Sequence, residues 1–297
     1  METKECIICG TKQNETLYAL DEVKVVRCSD CGLVFNDLFL TDHHKRSIYD
    51  DFGSEFELPV YETLAEVYRM QFETYISLIE EFTTPGRLLD IGCAVGYFLK
   101  VACARGWQAR GIDISAPAVA YARDTFGLPV QQTTLREACF PDKFFDVITM
   151  WDTIEHLDDP LQELLEVNRI SENEGILVIK TPNENGLFKR GARFVYLLSG
   201  GLVKFHLSFL YYPAHLYSFS EQTLTVLLKK AGYEVLAVRA EMSDRLIISE
   251  RIRRSQRGLR RMLLLKLILP IVFYLAHITG MPNKQIVVAR KTSEVDR

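Results

Sequence analysis

Three absences narrow the function of this 297-residue sequence. It contains no Gly-Lys-Ser/Thr, so a phosphate-binding P-loop is excluded. Its first residues show neither the basic stretch nor the apolar run of a signal peptide, so we expect a cytoplasmic protein. It also lacks a strong net charge. The total is −4 with 48% hydrophobic residues, which is typical of an ordinary soluble protein.

Basic residues are not spread evenly, and the two ends of the chain differ in charge. Residues 1–86 hold 7 Lys and Arg against 17 Asp and Glu, whereas residues 239–297 hold 13 against 5. Phosphate binding needs positive charge, so this distribution does not indicate a uniformly basic surface for nucleic acid. We therefore expect no nucleic-acid partner, although a local basic patch is left open.

Seven cysteines in a reducing compartment favour metal binding or structural roles over disulfides. Cys6 and Cys9 form one Cys-x-x-Cys pair, and Cys28 and Cys31 form a second, each followed by glycine. Four thiolates at this spacing can surround one zinc ion tetrahedrally. A fortuitous cysteine-rich terminus and a redox pair are the alternatives. We predict a structural zinc ribbon over residues 1–40 that depends on the metal for stability.

The central motif is the stretch 87–98, RLLDIGCAVGYF, which has the pattern of a buried strand, a tight turn and a helix. Gly92 and Gly96 let the chain turn closely around a ligand. Asp90 is predicted to lie at the carboxyl end of the strand, where open α/β sheets bind ligands. The nicotinamide fingerprint fits poorly, because its middle glycine would fall on Ala94.

The next predicted strand ends in a second acid, Asp113, within the run QARGIDIS. An acid at the tip of the second strand can accept hydrogen bonds from ribose hydroxyls, which indicates a nucleoside ligand. Strands and helices alternate along the chain, so we predict a parallel sheet covered on both faces. The strands are predicted near 87–92, 109–114, 129–133, 144–150, 175–180, 233–240 and 285–290, and the helices near 62–82, 96–105, 116–126, 160–170 and 220–231.

Four motifs, LDIGCAVGYF, GIDIS, FFDVITMWDTIEHL and GILVIKTPN, resemble those of class I S-adenosylmethionine-dependent methyltransferases over about residues 84–240. The resemblance implies an α/β fold with a Rossmann-like seven-stranded sheet, S-adenosylmethionine as cofactor, and methyl transfer to a small-molecule acceptor. The ribbon is similar to those of sugar and surface-polysaccharide methyltransferases, so a glycosyl or lipid-linked saccharide acceptor is favoured. An rRNA methyltransferase and a cofactor-binding partner protein without catalysis are the alternatives.

The expected organisation is a ribbon over 1–40, a linker and lid helix over 41–86, and a cofactor-binding domain over 87–297 with insertions at 181–218 and 243–282. The resemblance also assigns cofactor contacts to the strand tips and to the turns that follow them. These residues are Asp90, Gly92, Cys93, Ala94, Gly96, Asp113, Ile114, Thr134, Leu135 and Trp151.

The acceptor side is assigned to Asp152, His156 and His215. A histidine suits a general base because its unperturbed pKa is about 6.5. Alignment of the acceptor can also supply most of the rate without a base. Glu155 and His156 could instead begin a helix, or belong to the Asp/Glu-x-x-Glu-His run that binds a divalent metal in similar ubiquinone-pathway O-methyltransferases. His215 could equally be a core histidine bonded to the main chain.

Six arginines between positions 251 and 261 precede an almost wholly apolar run over 262–279. Lys266, Pro270 and His277 interrupt this run, and the strand after it must return to the sheet, so a membrane crossing is rejected. Two interpretations are left open. One is a buried arm, which could also form a homodimer, and the other is a peripheral anchor on the inner face of the membrane.

Overall fold

The computed structural model describes residues 4–20, 23–37, 58–202, 204, 207, 210–211, 214–254, 274–276 and 278–292. These residues form two sheets flanked by helices. The strands are β1 (Asn14–Ala19), β2 (Lys24–Cys28), β3 (Val34–Asn36), β4 (Arg87–Ile91), β5 (Gln108–Asp113), β6 (Val130–Gln132), β7 (Phe145–Trp151), β8 (Ser171–Pro182), β9 (Tyr217–Ser218), β10 (Tyr233–Glu241) and β11 (Lys284–Lys291).

The helices of the described residues include every one that the sequence predicts, with additions in the two insertions. They are α1 (Leu58–Thr63), α2 (Ala65–Glu80), α3 (Tyr97–Ala104), α4 (Ala116–Phe126), α5 (Pro160–Ile170), α6 (Leu187–Leu198), α7 (Glu221–Lys230) and α8 (Arg245–Arg254). The predicted helix 62–82 is divided, because α1 ends just before Leu64 and α2 begins just after it. A short 3-10 turn spans Ile154–His156.

The larger sheet has seven strands in the order β10-β11-β8-β7-β4-β5-β6. Strands β4 to β8 pair in parallel, and β11 lies antiparallel between β8 and β10. The predicted seven-stranded α/β fold is therefore confirmed, with β11 as an antiparallel strand in an otherwise parallel central sheet. Alternate side chains of each central strand enter separate apolar clusters on the two faces, as a sheet covered on both sides requires.

The cysteine-bearing segment forms an antiparallel sheet, β1-β2-β3, which β9 completes. Strand β9 comes from the insertion 181–218, and it places Tyr217 opposite Phe35. The side-chain amide of Asn36 donates to the backbone oxygen of His215 at 2.8 Å. The ribbon sheet thus holds the main chain of a predicted acceptor-side residue.

The insertion also contains α6, which the sequence does not predict. Ala192 and Tyr196 of this helix pack against Tyr18, Val25 and Val34 of the ribbon sheet. The first part of the insertion is therefore a helix docked on the ribbon.

The basic and apolar segment 251–279 begins within α8 and then falls mostly outside the described residues. Among the helices that the structure does describe, none combines the length and apolar character needed to span a bilayer.

We predict that Asn36→Ala lowers the free energy of unfolding by about 1–2 kcal/mol, because the backbone oxygen of His215 loses its donor. Asn36 is only 1% exposed. Urea denaturation measures the change, with exposed Asn173→Ala as the matched control. Equal stabilities of the two variants would show that the ribbon does not hold this loop.

Candidate active site

Parallel pairing brings two predicted acids to the same edge of the sheet. Asp90 lies opposite Gly111 of β5 and Thr149 of β7, and Asp113 ends β5 two residues later. The Thr149 hydroxyl donates to Oδ1 of Asp90 at 2.7 Å. The carboxyl ends of these strands are where open α/β sheets bind ligands.

The turn after β4 takes its shape from glycine and from Asp113. Gly92 and Gly96 have φ of 75° and 80°, in the left-handed region that favours glycine. A Cβ on Gly92 would lie 2.4 Å from Oγ1 of Thr153. Ala94 shares the left-handed region with φ of 46°, and its N–H donates to Oδ2 of Asp113 at 2.8 Å. The second acid thus stabilises the turn that the first strand begins.

Asp113 keeps acceptor capacity beyond this contact. Its Oδ1 also accepts the N–H of Ser115 at 2.8 Å, and a carboxylate oxygen can accept more than one hydrogen bond. Ile114 beside it is half-buried, whereas Cys93 is buried. Burial raises the pKa of the Cys93 thiol well above its usual value, and the charges of the two nearby acids raise it further. Cys93 is therefore an unreactive wall of the turn.

Asp90 is a buried carboxyl that would gain from a cationic ligand. Its side chain is 1% exposed. Burial raises its pKa to about 8, the charge of Asp113 adds to the rise, and the hydrogen bond from Thr149 opposes it. A positively charged ligand at this edge would favour the ionised carboxylate. This environment suits the sulfonium and ammonium charges of S-adenosylmethionine.

The turn after β6 holds its two predicted residues in different ways. Leu135 is buried in the same apolar cluster as Ile112, so its side chain is part of the core. The Thr134 hydroxyl donates to Oε2 of Glu137 at 2.9 Å, and the backbone N–H of Thr134 donates to the same oxygen. Glu137 therefore brings a carboxylate to this turn. Glu137 was not predicted from the sequence.

Trp151 forms the apolar side of the site. Its indole stacks on Tyr75 of α2 at 4.7 Å between ring centroids and meets Phe98 edge-on at 5.0 Å. The indole nitrogen is buried and has no hydrogen-bond partner among the residues that the structure describes. Since buried polar groups normally have a partner, this N–H marks a place where a ligand could accept a bond.

Asp152 follows directly, in a left-handed conformation with φ of 54°. Its Oδ2 lies 3.2 Å from Nζ of Lys180 and 2.6 Å from Nζ of Lys284. Burial opposes ionisation, but the two ammonium groups hold the pKa of Asp152 well below its usual value. Asp152 is consequently a poor proton acceptor and acts here as a counter-ion. Neither lysine was predicted from the sequence, although each interrupts an apolar strand end.

His156 and His215 lie together, with ring centroids 4.7 Å apart. Nδ1 of His156 is 2.8 Å from the backbone oxygen of Ala214, so the neutral ring donates there and leaves its Nε2 as an acceptor. Desolvation lowers the pKa of both rings, and for His215 the charge of His156 adds to this effect. Both histidines are therefore neutral near pH 7, and a neutral imidazole can bind a metal or accept a hydrogen bond from an acceptor hydroxyl.

Glu155 completes this group. It is 1% exposed, and Thr181 donates to its Oε2 at 3.0 Å. Its Oε1 has no hydrogen-bond partner within the described ranges. Burial raises its pKa to about 8, and the charge of Asp152 contributes. One ligand atom each from Glu155, His156 and His215 lie within 4.8 Å of one another, a set that could hold a divalent ion.

The four predicted zinc ligands also lie together. The sulfurs of Cys6 and Cys31 are 3.4 Å apart, as are those of Cys9 and Cys28, and all four lie within 4.8 Å of one another. Tetrahedral zinc, with Zn–S bonds of about 2.3 Å, needs sulfur separations of roughly 3.8 Å. The cluster therefore fits one structural zinc ion, with no open position for catalysis.

Comparison with known proteins agrees with this geometry. A family model described as "Methyltransferase domain" matches residues 67–238. A "Probable S-adenosylmethionine-dependent methyltransferase" of Mycobacterium tuberculosis is 32% identical over 97 residues, which make up 32% of this chain and 35% of that protein. A "Ubiquinone biosynthesis O-methyltransferase" of Rhodopseudomonas palustris is 34% identical over 103 residues, or 33% of this chain and 41% of that protein. The matches thus span less than half the length of these relatives.

Solved structures share the fold at low sequence identity. The "[4+2]-Cyclase SpnF" is 19% identical with a TM-score of 0.58, covering 86% of this chain and 98% of its own. A Thermotoga maritima protein titled "SAM-dependent methyltransferase, possible histamine N-methyltransferase" is 20% identical with a TM-score of 0.53, covering 83% and 99%. At such identities the likeness concerns the fold alone.

We predict that Asp113→Ala weakens S-adenosylmethionine binding by about 1–3 kcal/mol. The ribose hydroxyls of the cofactor would lose their acceptor, and the 92–96 turn would lose the hydrogen bond that the N–H of Ala94 donates to Asp113. Titration calorimetry measures the affinity, with exposed Asp124→Ala as the control. Unchanged affinity in Asp113→Ala would place the ribose elsewhere.

We predict that removing the buried acid stabilises the cofactor-free protein in a pH-dependent way. The raised pKa of Asp90 means that the folded state retains a proton that the unfolded state loses above about pH 4. Stability therefore falls as the pH rises toward about 8. Asp90→Asn removes this dependence, so its gain in urea denaturation should be more than about 1 kcal/mol larger at pH 8 than at pH 5. Equal gains at both pH values would refute the assignment, and Asp124→Asn should show no such difference.

We predict that purified protein holds about one zinc per chain and that Cys28→Ser loses it. Because β9 pairs with the ribbon, the amides of Tyr217 and Ser218 should then exchange faster with deuterium. Elemental analysis and hydrogen exchange measure both effects, with exposed Cys103→Ser as the control. Retention of zinc by Cys28→Ser would contradict the proposed ligand set.

Proposed function

We propose that this chain transfers a methyl group to a small-molecule acceptor, because it belongs to the S-adenosylmethionine-dependent methyltransferase family. The observation that carries the proposal is the meeting of Asp90, Asp113 and the 92–96 turn with the Asp152–His156 segment at one edge of the sheet. The donor and the acceptor groups thereby adjoin at the ends of neighbouring strands.

The donor side follows from charge and backbone geometry. S-adenosylmethionine supplies an electrophilic methyl group on a sulfonium. We assign its cationic portion to the neighbourhood of Asp90, its ribose hydroxyls to Asp113, and close main-chain contact to the left-handed turn between them. Ile114 is assigned to one side of the adenine, while Thr134 and Leu135 shape the turn near its edge.

The acceptor side follows from the two neutral histidines. Nε2 of His156 can accept a proton from an acceptor hydroxyl, because its Nδ1–H is directed to Ala214. His215 lies against it and is held in place by the ribbon. Asp152, fixed between two lysines, adds charge that orients the acceptor. Alignment against the methyl group supplies much of the rate in such a site.

A divalent ion is a second candidate for activating the acceptor. The unpartnered oxygen of Glu155 beside His156 and His215 favours it. The ion would lower the pKa of an acceptor hydroxyl and so replace the general base. The two roles differ in their response to chelation.

For the acceptor we favour a glycosyl or lipid-linked saccharide, on the resemblance of the ribbon to sugar-pathway enzymes. The acidic first third of the chain disfavours RNA. We propose a cytoplasmic protein whose segment 251–279 is either a buried arm, which could also form a homodimer, or a peripheral anchor on the inner membrane face. We propose the ribbon over 1–40, the linker and lid over 41–86, and the catalytic unit over 87–297.

We expect incubation with methyl-labelled S-adenosylmethionine and fractionated extract to label glycan or lipid. Label in RNA would instead identify an rRNA methyltransferase, and absence of transfer despite cofactor binding would identify a non-catalytic partner protein. His156→Gln should lower kcat by about 100-fold or more while leaving cofactor affinity unchanged. If a chelator abolishes activity and Mn²⁺ but not Zn²⁺ restores it, the histidines bind a divalent ion that activates the acceptor and do not act as the general base.

A further inference from the structure

A cleft of about 270 Å³ lies where the ribbon sheet meets α6. It shares no residue with the strand-tip site. Its lining combines two ribbon residues with residues from the loop and first turns of the insertion helix. These residues are Tyr18, Arg27, Glu184, Asn185, Lys189, Arg190 and Arg193.

The only carboxylate of this lining is already occupied. The carboxylate of Glu184 accepts three hydrogen bonds. The donors are Nζ of Lys189 at 3.0 Å, the hydroxyl of Ser218 at 2.7 Å and the hydroxyl of Tyr211 at 2.8 Å. Lys189, which also contacts Ser218, is therefore neutralised within the wall of the cleft. Its buried side chain braces α6 against β9.

The three arginines differ from Lys189. Arg27 is half-buried and Arg190 and Arg193 are exposed, and no ion pair or side-chain hydrogen bond joins any of them to a described residue. The N-cap residue of α6 is Gly186, which has no side chain to cap the helix, so the positive end of the helix dipole adds to the positive potential of the arginines. Three guanidinium groups without an ion pair around one concave space create a positive potential that attracts an anion.

A phosphate group fits this lining best. Guanidinium groups bind phosphate oxygens through paired hydrogen bonds, and a phosphate presents several oxygens to several arginines at once. We propose that the cleft binds a phosphate or diphosphate group carried by the methyl acceptor. This inference rests on the proposed function and narrows its acceptor to a phosphorylated molecule.

The position of the cleft agrees with such an anchoring role. Glu184 and Asn185 lie two and three residues after the end of β8, whose Lys180 contacts Asp152. Ser218 of β9, whose hydroxyl donates to Glu184, lies three residues after His215. The Glu184 side of the cleft is therefore connected along the chain to the acceptor side of the strand-tip site, so one molecule can be held by its phosphate and methylated at another group.

The phosphate has two sources. It can belong to a soluble molecule, or to a lipid headgroup, since the outer face of α6 and the turn after it expose apolar side chains. These are Phe194, Val195, Leu197, Leu198 and Leu202.

The test uses the full chain with two probes, inorganic diphosphate and vesicles containing phosphatidylglycerol or phosphatidylcholine alone. The double variant Arg190→Gln/Arg193→Gln and the single variant Arg27→Gln are compared with the wild type. Arg239→Gln, an exposed arginine on β10, is the matched control. Calorimetry should show salt-sensitive diphosphate binding that the double variant weakens about tenfold or more, with a smaller loss in Arg27→Gln.

Binding to phosphatidylglycerol vesicles alone, weakened in the same variants, would support the same site with a lipid phosphate. Binding of neither probe, or binding that the cleft variants leave unchanged, would overturn the proposal. S-adenosylmethionine affinity, measured in all four proteins, reports on the proposed function separately. Diphosphate binding without cofactor binding would refute the methyltransferase assignment and leave the anion site standing.

Discussion

The parallel alignment of β4 with β5 and β7 is the constraint on which the site depends. This register brings Asp90, Thr149 and Asp113 to one edge of the sheet. There Asp113 accepts the N–H of Ala94, so the second strand fixes the turn that follows the first. A shift of this register would move Asp113 away from Asp90, and it would also break the hydrogen bond that holds the 92–96 turn. The close approach of backbone to cofactor thus follows from strand pairing as much as from glycine.

A second constraint comes from the amino-terminal sheet. The ribbon is too short to enclose a core of its own and needs a metal or neighbouring protein to hold its shape. Its residues Cys6, Cys28 and Phe35 join the same apolar cluster as the central sheet, which supplies the neighbouring protein. Strand β3 of the ribbon pairs with β9, and Asn36 at the end of β3 donates to the backbone oxygen of His215. The ribbon therefore holds the loop that contains His215. A structural zinc ion can therefore influence the acceptor side without touching the reaction.

The sequence predicts the central sheet well because its signals are local. Runs that end in an acid define β4 and β5 within a few residues, and for β4 the glycine at position 92 marks the turn that follows. What the sequence does not predict depends on distant partners. Asn36 meets His215 across 179 residues, and Lys180 and Lys284 meet at Asp152 from different strands. The helix α6 has an amphipathic pattern, but it was missed because residues 181–218 were treated as an insertion without helices of its own.

The most direct test of this account is a crystal structure of the protein with S-adenosylhomocysteine, the product of the cofactor. The account predicts density along the carboxyl ends of β4 and β5, with the ribose hydroxyls about 3 Å from the Asp113 carboxylate and the sulfur facing the Asp152–His156 segment. Density for the nucleoside away from these strand tips, or a ribose bound to other groups while Asp113 keeps only its bonds to Ala94 and Ser115, would contradict it.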